Sequence, residues 1–319
     1  MTEAGELELV GAGGEPVDLW RTIASHGLVE LPPMRVDEEA RTLEATIPLR
    51  GARARSVVVG SGRPGYARVE VAGPAPSAGV RARVLDAVRH VLRLDEDLSP
   101  FYELARTDPE LAWAADGAGR LIRSPTVFED VVKTLCTTNC AWSATERMVA
   151  ALVTHLGEPA AGAREPGPYG RAFPTAEAMA EAGEDFYRDV VRAGYRGAYM
   201  RALAGSVAAG DVDLEELGHG DGLTDDEVVD RLRALPGIGP YAAAHIMMLL
   251  GRYSLLVLDS WTRPKYARLA GKKAVKDTTI ERRFRRYGRY AGLAFWLFLT
   301  KDWVEERPVP VSLGTPATG

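Results

Sequence analysis

Residues 231–263, RLRALPGIGPYAAAHIMMLLGRYSLLVLDSWTR, set a glycine-rich turn between two helical stretches and follow it with an aspartate that closes an apolar run. Thr224-Asp225-Asp226-Glu227 has the form of a capping box, so a helix is expected to start there and turn Val228, Val229, Leu232 and Leu235 inward. Pro236-Gly237 ends that helix. Gly237 and Gly239 are expected at positive φ, and Pro240 suits the first turn of a second helix running to about Gly251. Bare amides at such a helix start bind phosphate oxygens without reading base sequence. LPGIG alone is equally compatible with a tight helical hairpin buried in a core.

Asp259 narrows the choice. It follows Ser254-Leu255-Leu256-Val257-Leu258, too apolar for a solvent loop, and precedes Ser260, the expected N-cap of a helix beginning at Trp261. A carboxylate there is partly desolvated, and it lies twenty residues beyond Gly239. In hairpin and aspartate the chain resembles the helix-hairpin-helix DNA glycosylase superfamily. The resemblance implies that Asp259 is catalytic, stabilising positive charge on the deoxyribose or activating the attacking water as the base leaves. It also implies DNA contacts through Leu235, Gly237, Ile238 and Gly239, and through Arg263 and Lys265 beyond them.

Four further segments resemble the 8-oxoguanine branch of that superfamily, in order. Residues 125–139 (PTVFEDVVKTLCTTN) resemble the helix and turn whose Asn fills the gap left by the flipped nucleotide, a place that Asn139 occupies. Phe173-Pro174-Thr175 with Glu177, then Gly194-Tyr195-Arg196-Gly197, resemble its FPT segment and G-Y-R wedge. The resemblance gives Tyr195 as the wedge and Arg196 as the contact to the orphan base. Residues 287–294 (YGRYAGLA) resemble its C-terminal W-G-x-Y-A-G helix.

The departures bear on substrate. Bifunctional members carry a Schiff-base lysine two residues after the last hairpin glycine, where this chain has Tyr241; an imine is excluded there and water is the expected nucleophile. His245 replaces a cysteine beside the oxidised base, Phe295 a base-reading glutamine, and Leu299 a stacking phenylalanine. Ser25-His26-Gly27 aligns with a loop that contacts that base, His26 standing for a glycine. The second arginine for the orphan cytosine becomes Ala144, with Arg147 the nearest substitute. What remains around the expected base is aromatic: Tyr241, Trp261, Phe295, Trp296 and Tyr290. Ring faces attract cations, which favours an N-alkylated purine.

Composition is that of a soluble globular protein, 46% hydrophobic and 26% charged over 319 residues. The net charge of −5 hides a polarity. Residues 231–301 carry 15 Lys and Arg against 3 acidic residues, whereas 174–230 carry 4 Arg against 14 Asp and Glu. The basic segment, including Arg282-Arg283 and Arg285-Arg286, is the expected footprint for phosphates. Two cysteines, Cys136 and Cys140, are too few for an iron-sulfur cluster, and the five histidines show no catalytic-metal spacing. By resemblance, a sodium or potassium ion could sit on the carbonyls of Leu235 and Gly237; no other cofactor is expected. No signal peptide or membrane span is read, so a cytoplasmic monomer, nucleoid-associated if bacterial, acting on double-stranded DNA is expected.

The fold class expected is α+β. Antiparallel strands over Leu43–Leu49, Ser56–Val59 and Tyr66–Val71, then a helix over Val80–Leu94, give a small β-rich domain over 1–95. A mostly helical hairpin-bearing domain over 96–306 and a disordered tail over 307–319 complete the expectation. Three functions stay open at this stage. One is a monofunctional glycosylase excising a modified base, an alkylated purine before 8-oxoguanine or another lesion. The second is a non-catalytic DNA-binding scaffold, and the third a glycosylase and lyase using Lys133 or Lys265.

Overall fold

The structure is a computed structural model that describes residues 1–163, 167–218 and 222–305; the tail expected over 307–319 lies outside them. Five strands, β1 (Thr2–Glu8), β2 (Met34–Asp37), β3 (Thr42–Leu49), β4 (Ala52–Ser61) and β5 (Tyr66–Val71), form one antiparallel sheet in the order β1-β5-β4-β3-β2. Early helices are α1 (Leu19–Ile23), α2 (Ala78–Val91) and α3 (Ser99–Arg106). The chain continues through α4 (Val127–Thr137), α5 (Trp142–Leu156), α6 (Ala176–Glu181), α7 (Arg196–Ala208), α8 (Asp225–Ala234) and α9 (Pro240–Leu249). It closes with α10 (Thr262–Leu269), α11 (Asp277–Phe284), α12 (Ala291–Thr300) and α13 (Asp302–Glu305). The class is α+β.

Strands β3 to β5 alternate as their sequences suggest, burying Leu43, Ala45, Ile47, Val57, Val59, Val69 and Val71 under α2. β1 and β2 are edge strands that the sequence reading omitted. TEAGELE buries only Ala4 and Leu7, and its glutamates stay at the rim, a composition that suits an edge closed to further pairing.

Two more cores lie beyond the sheet. One gathers α4, α5, α7, α8 and α9 around Leu135, Met148, Leu203, Leu232 and Ile246. The other joins α3 to the C-terminal helices through Phe101, Tyr102, Phe284, Leu293 and Phe295. The sheet half is tied to the rest by a buried ion pair between Arg120 and Glu15. Glu15 Oε1 also accepts the Leu98 amide at 2.7 Å, and Arg120 Nη1 donates to the Glu96 carbonyl at 2.9 Å. Removing either partner would strand the other charge in the interior, at a cost of about 3 to 5 kcal/mol.

The hairpin follows local chemistry. Thr224 and Glu227 form the reciprocal capping box that starts α8, which ends at Leu235. Gly237 takes φ +78, where a side chain is strained; a Cβ there would also lie 2.6 Å from Tyr199 Cδ2 and 2.9 Å from Leu135 Cδ1. Gly239 departs from expectation: it is extended (φ −91, ψ −178) and serves as N-cap of α9, because Pro240 already sets the helix start. No atom lies within 4 Å of its added Cβ. The two glycines are therefore not equivalent. Gly237→Ala should lower the unfolding free energy by about 1 to 3 kcal/mol from backbone strain alone, before the contact with Tyr199 is counted. Gly239→Ala should leave the thermal midpoint nearly unchanged. Melting both variants beside the parent checks this, and equal losses would contradict it.

Candidate functional site

Loops from the sheet half meet α4, α9, α10 and α12 around a cavity of about 1120 Å³. Asp259 stands on its wall, half-buried, at the start of α10. Its Oδ1 accepts the amides of Trp261 (2.8 Å) and Thr262 (2.6 Å), while its own amide donates to Thr262 Oγ1 at 2.8 Å. The helix begins at Thr262 with Trp261 in the N-cap position, and the carboxylate of Asp259, not the hydroxyl of Ser260, meets its first amides. The reciprocal bonds with buried Thr262 fix the carboxylate's direction and leave Oδ2 uncommitted to the cap.

Tyr241 and His245, one turn apart on α9, share this wall, with Tyr241 Oη 3.4 Å from His245 Nδ1. Burial raises the Tyr241 phenol above its ordinary range, and the nearby Asp259 charge acts in the same direction. Burial also pushes His245 down to about 4, against the upward pull of Asp259. Both rings are neutral near pH 7.

The opposite wall is indole. Trp261 lies 5.7 Å from Trp296 and 5.6 Å from Trp303, centroid to centroid, and all three line the cavity with Trp142. Trp296 is anchored by its Nε1, which donates to the Ser25 carbonyl at 2.8 Å. Trp142 and Trp303 escaped the sequence reading because neither belongs to a periodic stripe. Trp142 is an exposed residue opening α5, held close to Gly27.

Three expected base-pocket residues need correction. Phe295 and Leu299 do not line the cavity; both are fully buried, and Phe295 packs on Phe284 at 5.2 Å and Tyr266 at 6.1 Å. Helical phase is the reason: with Trp296 turned to the cavity, Phe295 points about 100° away. His26 touches the cavity, but both ring nitrogens are used. Nε2 donates to the Ile122 carbonyl at 2.5 Å and Nδ1 accepts the Leu28 amide at 3.3 Å, so the ring holds the loop and has no group left to read a base. Burial pushes it down to about 3. Tyr290 lies elsewhere, against Phe101 and Tyr253.

At the cavity mouth Asn139, itself at φ +47, donates from Nδ2 to Tyr195 Oη at 3.3 Å, so the two residues are brought together. Tyr195 is 54% exposed, the largest exposure of any aromatic side chain among the described residues. Arg196, expected to face an orphan base, is instead buried. Its Nε and Nη2 both donate to the Thr138 carbonyl, the former at 2.9 Å, and Nη1 donates to that of Ala193 at 3.5 Å. The guanidinium holds the turn that presents Asn139. Arg147 is exposed on α5. Leu235 and Ile238 are buried, so the hairpin offers main chain at Gly239 and Pro240.

The basic segment is partly neutralised within the fold. Lys265 pairs with Asp302 at 2.5 Å and is largely covered, against its expected DNA contact; Arg263 meets Asp277 at 2.8 Å but keeps an exposed guanidinium. Arg283 and Arg286 pair with Glu110 and Asp108, fastening α11 and the turn after it to the segment following α3. Cys140 Sγ donates to the Cys136 carbonyl at 3.1 Å. Among the described residues no cluster of three or more His, Cys, Asp or Glu could hold a metal ion, and no helix is long and apolar enough to cross a membrane.

No protein-family model matches the chain, and no curated protein matches it in sequence. Solved structures do match in fold. The 3-methyladenine DNA glycosylase from Archaeoglobus fulgidus superposes with a TM-score of 0.70 at 22% identity, over 94% of this chain and 99% of that one. MBOgg1 in complex with a low-affinity DNA ligand gives 0.69 at 18%, over 93% and 95%. The apo 8-oxoguanine glycosylase/lyase of Clostridium acetobutylicum gives 0.67 at 18%, over 90% and 94%. The whole architecture, sheet included, is therefore shared with these proteins.

The two buried histidines make the fold acid-sensitive. An unfolded histidine takes a proton near pH 6.5, whereas folded His245 resists until about 4. Its stabilising contribution is thus complete above 6.5 and is lost as pH falls towards 4. The thermal midpoint should drop across that window. His245→Phe, with no proton to bind, should flatten the drop by on the order of 3 kcal/mol. Denaturation at pH 7 and pH 4 checks this, and equal pH slopes for the two proteins would contradict it.

Proposed function

We propose that this chain is a monofunctional DNA glycosylase that draws a modified base out of double-stranded DNA and hydrolyses its N-glycosidic bond. The observation that carries the reading is the juxtaposition at Asp259. A carboxylate pinned through Oδ1 faces a cavity large enough to admit a base, with the Asn139–Tyr195 pair at its mouth and the α9 amide terminus close by.

The chemistry follows from those positions. Phosphates on one side of the lesion would meet the amides at the start of α9, whose first turn lacks intrahelical acceptors. Asn139 and Tyr195 would fill the vacated stack, lowering the cost of keeping the base extruded. As the C1′–N bond breaks, its electron pair leaves with the base and positive charge gathers on the sugar. A carboxylate that is already oriented stabilises that charge without reorganising. Water then adds to C1′ and gives its proton to Asp259 or to solvent, leaving an abasic site. An alkali cation, were one held by the carbonyls of Leu235 and Gly237, would supply only an electrostatic anchor for phosphate.

Absence of a lyase step is supported by the lysines: among the described residues none lines the cavity. Lys133 is fully buried against Glu129 at 2.7 Å, and Lys265 is held by Asp302. Four indoles and Tyr241 favour a cationic, N-alkylated purine over a neutral oxidised base, each face contributing roughly 0.5 to 2 kcal/mol. The fold likeness to a 3-methyladenine glycosylase agrees with this substrate; the likeness to an 8-oxoguanine glycosylase/lyase keeps oxidised guanine as the second reading.

Asp259→Asn tests the proposal cleanly, because its amide oxygen can still accept the Trp261 and Thr262 amides and keep the helix cap. Base release from alkylated DNA, followed by mass spectrometry, should fall at least about a thousandfold, an electrostatic loss of roughly 4 kcal/mol. Binding to an abasic-site analogue should stay within a few fold. Unimpaired release would remove Asp259 from the mechanism, and a parent protein that binds DNA but releases no base would leave a scaffold. Borohydride should trap no covalent adduct; a trapped imine would restore a lysine nucleophile.

A further inference from the structure

The cavity is larger than the nucleoside that would enter it. On the scale on which a void of about 150 Å³ admits benzene, two fused base rings and one sugar ring need roughly three times as much. The space beside Asp259 measures about 1120 Å³. Phosphate and solvent belong at its mouth, near Asn139 and Arg263, yet much of the remaining wall is indole.

Where the surplus lies follows from the carboxylate. Asp259 has to stand against the sugar carbon that loses the base, which seats the base beside Trp261, two residues on, and Tyr241. Trp261 is 5.6 Å from Trp303, and Trp303 also borders a second cavity of about 290 Å³. His26, Gly27, Glu30 and Trp303 line both spaces. Gly27 matters by what it lacks. Its φ is not positive, so its backbone does not call for glycine, and an added Cβ would meet only Trp142, at ordinary contact distances of 3.6 and 3.7 Å. The bare position leaves open the gap beside the fourth indole.

We propose that the cavity takes purines N-alkylated by a large flat group, an arylmethyl arm, with the base beside Asp259 and Tyr241 and the arm laid along the indoles towards Trp303. This rests on the glycosylase reading above and adds the size and shape of the adduct. A methyl substituent leaves most of the indole surface in water. An aryl arm covers that surface and gains ring-on-ring contact that a methyl group cannot offer. Both kinds of N-alkylation put positive charge on the purine, so the arm alters fit and leaves the class of leaving group the same.

The test compares the two arms in one reaction. DNA is treated with a methylating and a benzylating agent, and the N3- and N7-alkylpurines released under single-turnover conditions are quantified together by mass spectrometry, each rate divided by that of spontaneous loss. The parent should release benzylpurines at least as fast as methylpurines, whereas a pocket closed around a methylpurine would reject the larger arm by about tenfold or more. Trp303→Ala should lower the benzyl-to-methyl ratio about three- to tenfold, and Trp303→Phe, which keeps a ring, should hold most of it. Gly27→Leu, which fills the gap beside Trp142, should lower the ratio by a similar factor. The ratio is internal, so a general loss of activity does not move it. Circular dichroism establishes folding, and should one variant fail to fold the other decides. Benzylpurines released more slowly than methylpurines by the parent, or a ratio that a folded Trp303→Ala or Gly27→Leu variant fails to lower, would overturn this inference and leave the glycosylase standing. Release of neither purine, nor of any base in a survey of alkylated and oxidised DNA, would overturn both.

Discussion

The missing side chain at Gly237 is the constraint on which the arrangement of the site depends. At that residue the hairpin backbone approaches Tyr199 of α7 and Leu135 of α4 more closely than any Cβ would allow. Those two helices carry the mouth residues: Asn139 follows α4, and Tyr195 precedes α7. One close approach thus sets three elements at a common distance. The hydrogen bond from Asn139 to Tyr195 and the seating of Arg196 on Thr138 both lie within that frame. The adjoining core of Leu135, Leu203, Leu232 and Ile246 holds the helices at this spacing.

Charge in the molecule is arranged on the same economy of position. Of the cations in the basic C-terminal segment, Arg283, Arg286 and Lys265 are engaged with Glu110, Asp108 and Asp302, so they hold helices together before they can attract phosphate. The surplus available to a polyanion is smaller than the sequence total suggests. The Asp259 carboxylate, by contrast, accepts the neutral amides of Trp261 and Thr262, while the residue's own amide donates to the Thr262 hydroxyl. Such partners fix a carboxylate without cancelling its charge, as a salt-bridge partner would.

Legibility in the sequence followed the physics of each element. The capping box at Thr224, the turn at Gly237 and the aspartate at 259 were readable because each rests on local spacing, and strands β3 to β5 because one of their faces is continuously buried. β1 gave no such signal: as an edge strand it needs only two inward residues. In α12, where nearly every position is apolar, sequence offers no phase: Phe295 and Trp296 are both expected around the base, and only Trp296 lines the cavity. Arg196 was identifiable by its setting but not by its partners, since a backbone carbonyl as acceptor leaves no trace in residue identity. The same holds for His26, whose two bonds are both to main chain.

The indole wall has an optical consequence. Four of the chain's six tryptophans line one cavity, and three of them stand within 6 Å of one another. Excitation passes readily between indoles at such separations, so absorbed ultraviolet light is funnelled towards the ring that emits at longest wavelength. The protein's intrinsic emission is therefore weighted towards this cavity, where a guest would replace solvent. Occupancy of the cavity can be followed by that glow without attaching a dye, and the surrounding scaffold contributes only Trp20 and Trp113 as background.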